Sequence, residues 1–218
     1  MIKKIKEIVT GTSSTVDAGG VEEEQRVVMV DPAALLAAVP PEPDLRIVGL
    51  FGDVQEEKVA ELIHGLLMLN EVNKLSDEEK QIPIEFYIST YGGNADDMFG
   101  LYDVIRQIKE TSEIHTVGLG KVMSAGVLLL ASGTKGKRKI GKNCRVMIHS
   151  VMGGNHGSLH NMMNELEAIE QLQDMYCDAL IENTKLTRTK LKKMIERKVN
   201  VYLSAEEAVE MGIADIII

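Results

Sequence analysis

An α/β fold is the architecture this sequence predicts, and three observations predict it. Short β-branched or aromatic segments recur along the chain. Amphipathic segments of about ten to fifteen residues separate them. Glycine-containing turns stand where one type gives way to the other. Strands joined through helices pair in parallel and cross over with a right-handed turn. The chain has 218 residues, 44% of them hydrophobic, enough for one sizeable core with some length left for a tail.

Residues 1–44 read differently from the rest. "GTSSTVDAGGVEEE" is small, polar and acidic, and "VPPEPD" is rigid and extended, so this stretch is expected to form a flexible or partner-dependent arm with a short helix at "DPAALLAAV". Regular alternation begins at Leu45, and residues 45–218 form the expected domain. "LRIVGLFG" is a short apolar strand closed by Gly52. "QEEKVAELIHGLLMLNEVNK" carries apolar residues at 59, 62, 63, 66, 67 and 69, the spacing of a helix with one buried face. "IPIEFYIST" is a strand, "YGGN" a turn, and "ADDMFGLYDVIRQIK" a helix with Met98, Leu101, Tyr102, Ile105 and Ile108 on one stripe.

"IHTVGLG" continues as a strand, "SAGVLLLAS" as a helix and "CRVMIHSV" as a strand. A glycine-rich excursion, "MGGNHGS", leads into the longest helix, Leu159 to Glu182, and Thr187 caps a further one running to Lys198. "VNVYLS" is a short extended piece, "AEEAVEMG" a helix stopped by Gly212, and "IADIII" a final strand.

Composition narrows the function. A net charge of −9 argues against a general phosphate-binding surface, so nucleic acid is not an expected partner. Cys144 and Cys177 are too few and too far apart for a disulfide framework or a zinc site, and they fit a reducing compartment. His156 and His160 lack the further ligands that a metal needs. No apolar h-region follows the basic start, and the run Ala125 to Ala131 is too short to span a bilayer. A cytoplasmic protein with no membrane association and no metal or organic cofactor is expected.

Three features sit at strand-to-helix junctions, where α/β folds tend to place their sites. In "STYGGNADD" a Gly-Gly pair lets the backbone turn at positive φ. In "GKVMSAG" Ser124 opens the next apolar helix, whose amino terminus offers unpaired N–H groups. His149 ends the strand "CRVMIHS", and an imidazole there can take a serine proton. Each has a plain structural reading: an N-cap, a turn, a satisfied histidine. Taken singly, these residues leave both readings open.

The order and spacing of five motifs resemble the proteolytic subunit of the ATP-dependent Clp protease, the ClpP family. "FYISTYGGN" resembles Y-I-N-S-P-G-G-S, and "LYDVIRQIK" resembles I-Y-D-T-M-Q-F-I-K. "GKVMSAGVLLLASGTKGKR" resembles G-x-A-A-S-M-G-A-F-L-L-A-A-G-x-K-G-K-R. "NCRVMIHSVMGGNHG" resembles N-S-R-V-M-I-H-Q-P-x-G-G-x-x-G, and "YLSAEEAVEMGIAD" resembles F-[LM]-S-A-E-E-A-x-E-Y-G-L-I-D. The looser relatives of the enoyl-CoA hydratase (crotonase) group lack the "VMIH" and "SAEEA" blocks.

The resemblance implies a ClpP/crotonase-like fold of repeated β-β-α and βαβ crossover units, with a protruding helix-strand handle over about residues 150–182. It also implies a serine endopeptidase subunit of a ring-shaped, compartmentalised protease: Ser124 as nucleophile, His149 as general base, Gly93 and Ala125 as oxyanion-hole N–H donors. Gly92, Met152, Gly153 and Gly154 fall on substrate-binding positions, where main-chain pairing with an extended peptide reads backbone rather than sequence. The implied partners are further copies of the chain in heptameric rings stacked in pairs, an AAA+ unfoldase, and peptide or unfolded-protein substrates. No phosphate-loop motif is present, so ATP is expected to bind the partner.

Departures from the family pattern concentrate at the third triad position. The family has an aspartate there, within a D-R-D run; this chain reads "KVN", with Asn200 at that position and Lys198 and Val199 before it. Asparagine can orient the imidazole but cannot stabilise imidazolium with a charge. A Ser-His-Asn triad that is weakened or activated by a partner is therefore expected. The alternative is a catalytically silent structural ring subunit that assembles with an active paralogous subunit. Tyr91 stands where the family has proline, and two residues are inserted around "ETSEIH".

Overall fold

The computed structural model describes residues 45–77, 81–154, 156–196 and 200–218, so the arm expected over 1–44 lies outside the described residues. The chain runs β1 (Ile47–Phe51), α1 (Glu56–Lys74), β2 (Ile84–Thr90), α2 (Ala95–Ile108), β3 (Ile114–Met123) and α3 (Ala125–Ala131). It continues with β4 (Lys139–Ile140), β5 (Arg145–Ile148), α4 (Leu159–Asn183), α5 (Arg188–Ile195), β6 (Val201–Leu203), α6 (Ala205–Glu210) and β7 (Ile216–Ile217).

Hydrophobic periodicity sets which faces are inside. The α2 stripe of Met98, Leu101, Tyr102, Ile105 and Ile108 is buried as its spacing predicts. Asn94 starts that helix by accepting from the N–H groups of Asp96 (2.8 Å) and Asp97 (3.0 Å). Every residue of α3 is buried, which accounts for a helix written entirely in Ala, Gly, Val and Leu. Thr187 caps α5 by accepting from Lys190 N–H, and Ser204 and Glu207 close α6 with a capping box. The helix predicted to reach Lys198 ends at Ile195.

The sheet follows the order β1-β2-β3-β4-β7, all parallel, with β5 also paired to β3. Strand β3 forks it. Val117 and Gly118 pair with Lys139 and Ile140 of β4, whereas Lys121, Val122 and Met123 pair with Arg145, Val146 and Met147 of β5. Between the two halves the register against β2 slips, from Ile88↔Gly118 to Thr90↔Val122, and Gly120 takes φ +65°. This bulge bends the strand and redirects its end.

Three features differ from the sequence expectation. Strand β4 is only two residues long, too short for any periodicity to register, and "KGKR" reads as loop. Strand β6 pairs antiparallel with β5, because α4 and α5 return the chain to the end of β5 that it left, where Val201 pairs with Ile148. The strand expected in the handle does not form over 150–154, where no neighbouring strand is present to ladder with among the described residues. The handle's helix does form. Among its residues only Tyr176, Ala179, Leu180 and Asn183 are buried, while Leu159, Met162, Met163 and Leu166 are exposed in its first half. Among the described residues, no helix is long and apolar enough to cross a membrane.

One buried ion pair ties the far side of the sheet together. Arg138, 4% exposed, donates from Nε to Asp215 Oδ2 (2.7 Å) and from Nη2 to Asp215 Oδ1 (2.6 Å). Its Nη1 donates to the Ala131 and Asn183 carbonyls at the ends of α3 and α4. Gly136 N–H adds a bond to Asp215 Oδ2 at 2.7 Å. Burial by itself raises the Asp215 pKa, but the Arg138 bonds and charge together with Gly136 outweigh it and hold the carboxyl below its usual range.

Breaking a buried pair leaves its partner uncompensated. Asp215→Ala is therefore expected to lower stability by about 3 kcal/mol or more, read by urea unfolding. A depressed carboxylate pKa stabilises the fold above the unfolded value near 3.9 and ceases to as pH falls through the lower folded value. The wild-type margin over Asp215→Ala should accordingly be full above about pH 4 and shrink on further acidification.

Candidate active site

The bend in β3 ends at Ser124, which adopts φ +53°, ψ −122°, the only positive φ of a non-glycine residue among those described. Such a conformation costs on the order of 1–3 kcal/mol and persists only where neighbours over-determine it. They do so from three sides. Ser124 N–H donates to Met147 O of β5 at 2.8 Å, and its carbonyl accepts from Val127 N–H at 2.9 Å. The same carbonyl accepts from the Tyr176 hydroxyl of α4 at 3.0 Å. Burial pushes that phenol well above its ordinary pKa, so it stays protonated and remains a donor. Ser124 holds the N-cap position of α3, yet its side chain makes no capping bond. The plain N-cap reading of this residue therefore fails on geometry.

The Gly-Gly pair passes beneath. A Cβ on Gly92 (φ +107°) would sit 2.6 Å from Ser124 Cβ, so only glycine lets β2's exit approach the serine this closely. Gly92 N–H donates to Thr90 Oγ1 at 3.0 Å. Gly93 (φ +153°) forms a parallel bridge with Val54 in which Val54 N–H donates to Gly92 O (2.8 Å) and Asn94 N–H donates to Val54 O (2.9 Å). Val54 uses both its backbone groups there, and the N–H of Gly93 is directed away, with no partner among the described residues. Ala125 opens α3, so its N–H belongs to the first helical turn and has no intrahelical acceptor.

These groups share one cavity of about 190 Å³, whose walls include Gly93, Ser124, Ala125, His149, Met152 and Tyr176. Cavities that enclose a whole small molecule run to roughly 300–1,000 Å³, so this one suits a single side chain of a longer ligand. His149 follows the last residue of β5 and is half-buried. It also lines a neighbouring depression together with Asn200, Tyr91 and Met152.

Antiparallel pairing explains how Asn200 arrives there. Val146↔Leu203, Met147↔Tyr202 and Ile148↔Val201 are in register, and one step further along that register His149 lies opposite Asn200. No hydrogen bond joins Ser124 Oγ to His149, or His149 to Asn200, among the described residues. Catalytic hydrogen bonds are often long before substrate binds.

Of the expected substrate-binding residues, Gly92 lies against Ser124 and Met152 lines both hollows, 80% exposed. Gly153 and Gly154 line neither. Gly153 packs on α4, where an added Cβ would meet Ile169 Cδ1 at 2.5 Å, and Gly154 faces open space. Sequence reasoning missed Tyr176 and Val54. Each acts through a single bond type across a long sequence separation, and no local pattern marks it.

A Cβ at Gly93 would fall 2.2 Å from Val54 O, a backbone atom that cannot swing away. Gly93→Ala is therefore expected to destabilise by more than about 1 kcal/mol. In a domain of this size that is a drop of about 2–4 °C or more in Tm, measurable by calorimetry.

Comparison with known proteins agrees with the architecture. The profile of the Clp protease family matches residues 43–218. The ATP-dependent Clp protease proteolytic subunit 1 of Prochlorococcus marinus subsp. pastoris is 33% identical over 173 residues, covering 79% of this chain and 83% of that protein. The protein of the same name from Prochlorococcus marinus strain MIT 9312 is also 33% identical, over 79% of this chain and 84% of its own length. Relatives this similar over this much of both chains share a fold and a lineage, and the chain belongs to the Clp protease family.

Proposed function

We propose that this chain is a serine endopeptidase subunit that cuts peptides and unfolded polypeptides through Ser124. The observation that carries the reading is Ser124 itself: held at positive φ, capping nothing, and in one cavity with His149 and two unengaged N–H groups. A serine on a strained strand-to-helix turn presents its hydroxyl outward, which packing alone does not require.

His149 accepts the Ser124 proton as Oγ attacks the peptide carbonyl, and the C–O bond forms as the carbonyl π pair moves onto oxygen. The N–H groups of Gly93 and Ala125 stabilise that oxyanion. Both donors are main-chain, so alanine at 125 serves as well as the methionine usual in the family. The tetrahedral intermediate collapses, the C–N bond breaks, and the leaving amine takes the proton from His149. Water then attacks the acyl-enzyme with His149 again as base, releasing the acid and regenerating Ser124.

Asn200 orients His149 without supplying charge. The segment 150–154, which joins no ladder, offers main-chain groups for pairing with a substrate strand. The subunit works in the cytoplasm in heptameric rings stacked in pairs, and an AAA+ unfoldase feeds it. Residues 159–166 bring exposed apolar side chains to the handle, consistent with burial in an assembly.

A second reading, a silent ring subunit completed by an active paralogue, draws on Asn200 and the missing negative charge beside His149. A fluorophosphonate probe separates the two. Labelling of Ser124 that disappears in His149→Ala supports the peptidase, and no labelling under any condition sinks it. Native mass spectrometry reads the ring stoichiometry directly.

Asn200→Asp should raise turnover of a short peptide, by up to about 10⁴-fold, the loss seen when a triad aspartate becomes asparagine. Unchanged turnover would show that this triad is not limited by the missing charge.

A further inference from the structure

A depression that His149 lines, next to the cavity that holds Ser124, carries an unusual pair of cations. Lys121 of β3 and Arg145 of β5 are register partners on neighbouring parallel strands, and both line this hollow. Like charges placed directly across a sheet repel. Neither side chain pairs with a carboxylate among the described residues. Each instead lies on an aromatic face: Lys121 Nζ is 4.5 Å from the ring centroid of Tyr91, and Arg145 Cζ is 4.8 Å from that of Tyr202. Tyr91 and Tyr202 line the same hollow, so the rings hold both cations at its edge. In a chain of net charge −9, two adjacent positive charges without a counter-ion among the described residues make a local site for an anion.

Chemistry fixes which part of a substrate arrives there. His149 must hand its proton to the leaving amine, so the leaving-group half of the peptide runs past the imidazole. The hollow that His149 itself lines then receives residues following the cut bond. We infer that Lys121 and Arg145 form a specificity subsite for a peptide carboxylate on the leaving-group side of the scissile bond. That carboxylate is either an acidic side chain or the substrate's own C-terminus. The inference rests on the peptidase reading above. Guanidinium can grip a carboxylate in bidentate fashion while the ammonium adds a point charge, and neutral or cationic residues gain nothing there.

Internally quenched peptides identical except for Glu, Gln or Lys in the two residues after the cut test this, each made as C-terminal acid and amide. Glu is expected to exceed Gln in kcat/KM by about fivefold, with Lys lowest, and the preference should shrink at high salt. An acid-over-amide preference with no Glu effect assigns the subsite to the C-terminus, and the reverse assigns it to side chains. In the Lys121→Gln/Arg145→Gln double variant, checked for folding by its thermal unfolding, the ratio should fall to about one. Lys121→Arg, which keeps the charge, should keep the preference.

Equal rates for all peptides in the wild type overturn the subsite while leaving the peptidase intact. So does a preference that survives in the double variant. No hydrolysis of any peptide, with no fluorophosphonate labelling, overturns the peptidase reading and the subsite with it.

Discussion

Ser124 at φ +53° is the constraint on which the rest of the molecule turns. A serine does not adopt that conformation alone, and the cost of roughly 1–3 kcal/mol must be offset by bonds that arrive from elsewhere. They come from Met147 on β5 and Tyr176 on α4, while Gly92 clears the space alongside. Each of those elements is placed in turn by something larger. The bulge at Gly120 swings β3 onto β5, and the Arg138–Asp215 pair anchors the carboxyl ends of α3 and α4 from the opposite side. The core packing of α3, buried along its whole length, then transmits this arrangement to the serine. Strain at one residue is thus maintained by the tertiary fold as a whole.

The change of direction in the sheet matters as much as its parallel part. Strands β1 to β4 carry the core and, at the exit of β2, deliver Gly92 and Gly93. An all-parallel sheet would have no way to bring residue 200 opposite residue 149, because parallel neighbours run their carboxyl ends together. The short antiparallel pairing of β5 with β6 does so by register alone. His149 and Asn200 therefore flank the end of one ladder, a step beyond Ile148 and Val201, and strand register brings them opposite each other.

Most of the architecture could be read from the sequence because it follows from periodicity. The α2 stripe, the capped starts at Asn94, Thr187 and Ser204, and the stop at Gly212 rest on local rules that the structure obeys. What could not be read is whatever depends on register between distant segments. The two-residue β4, the antiparallel β6, the Tyr176 bond to Ser124 and the side-by-side cations at 121 and 145 are of this kind. No window of sequence contains both members of those pairs. Ser124 itself sat between the two classes: its sequence context suits a helix cap, and only the backbone angle separates a cap from a presented hydroxyl.

A division of labour between main chain and side chain explains which parts of the site tolerate change. The N–H groups of Gly93 and Ala125 are set by a bridge to Val54 and by the first turn of α3, so they persist whatever side chain follows the serine, provided the backbone keeps its path. A chain only 33% identical to named relatives can keep such groups through wide sequence drift. The residue opposite His149 has no such protection, because its contribution is made by side-chain atoms and, where aspartate is present, by charge. On the proposed reading, substitution there alters activation of Ser124 while leaving fold, cavity and backbone N–H groups in place. If position 200 and the hollow lined by Lys121 and Arg145 act as proposed, divergence within this architecture should tune rate first at the former and specificity first at the latter. The serine turn, on which both depend, is the last element free to move.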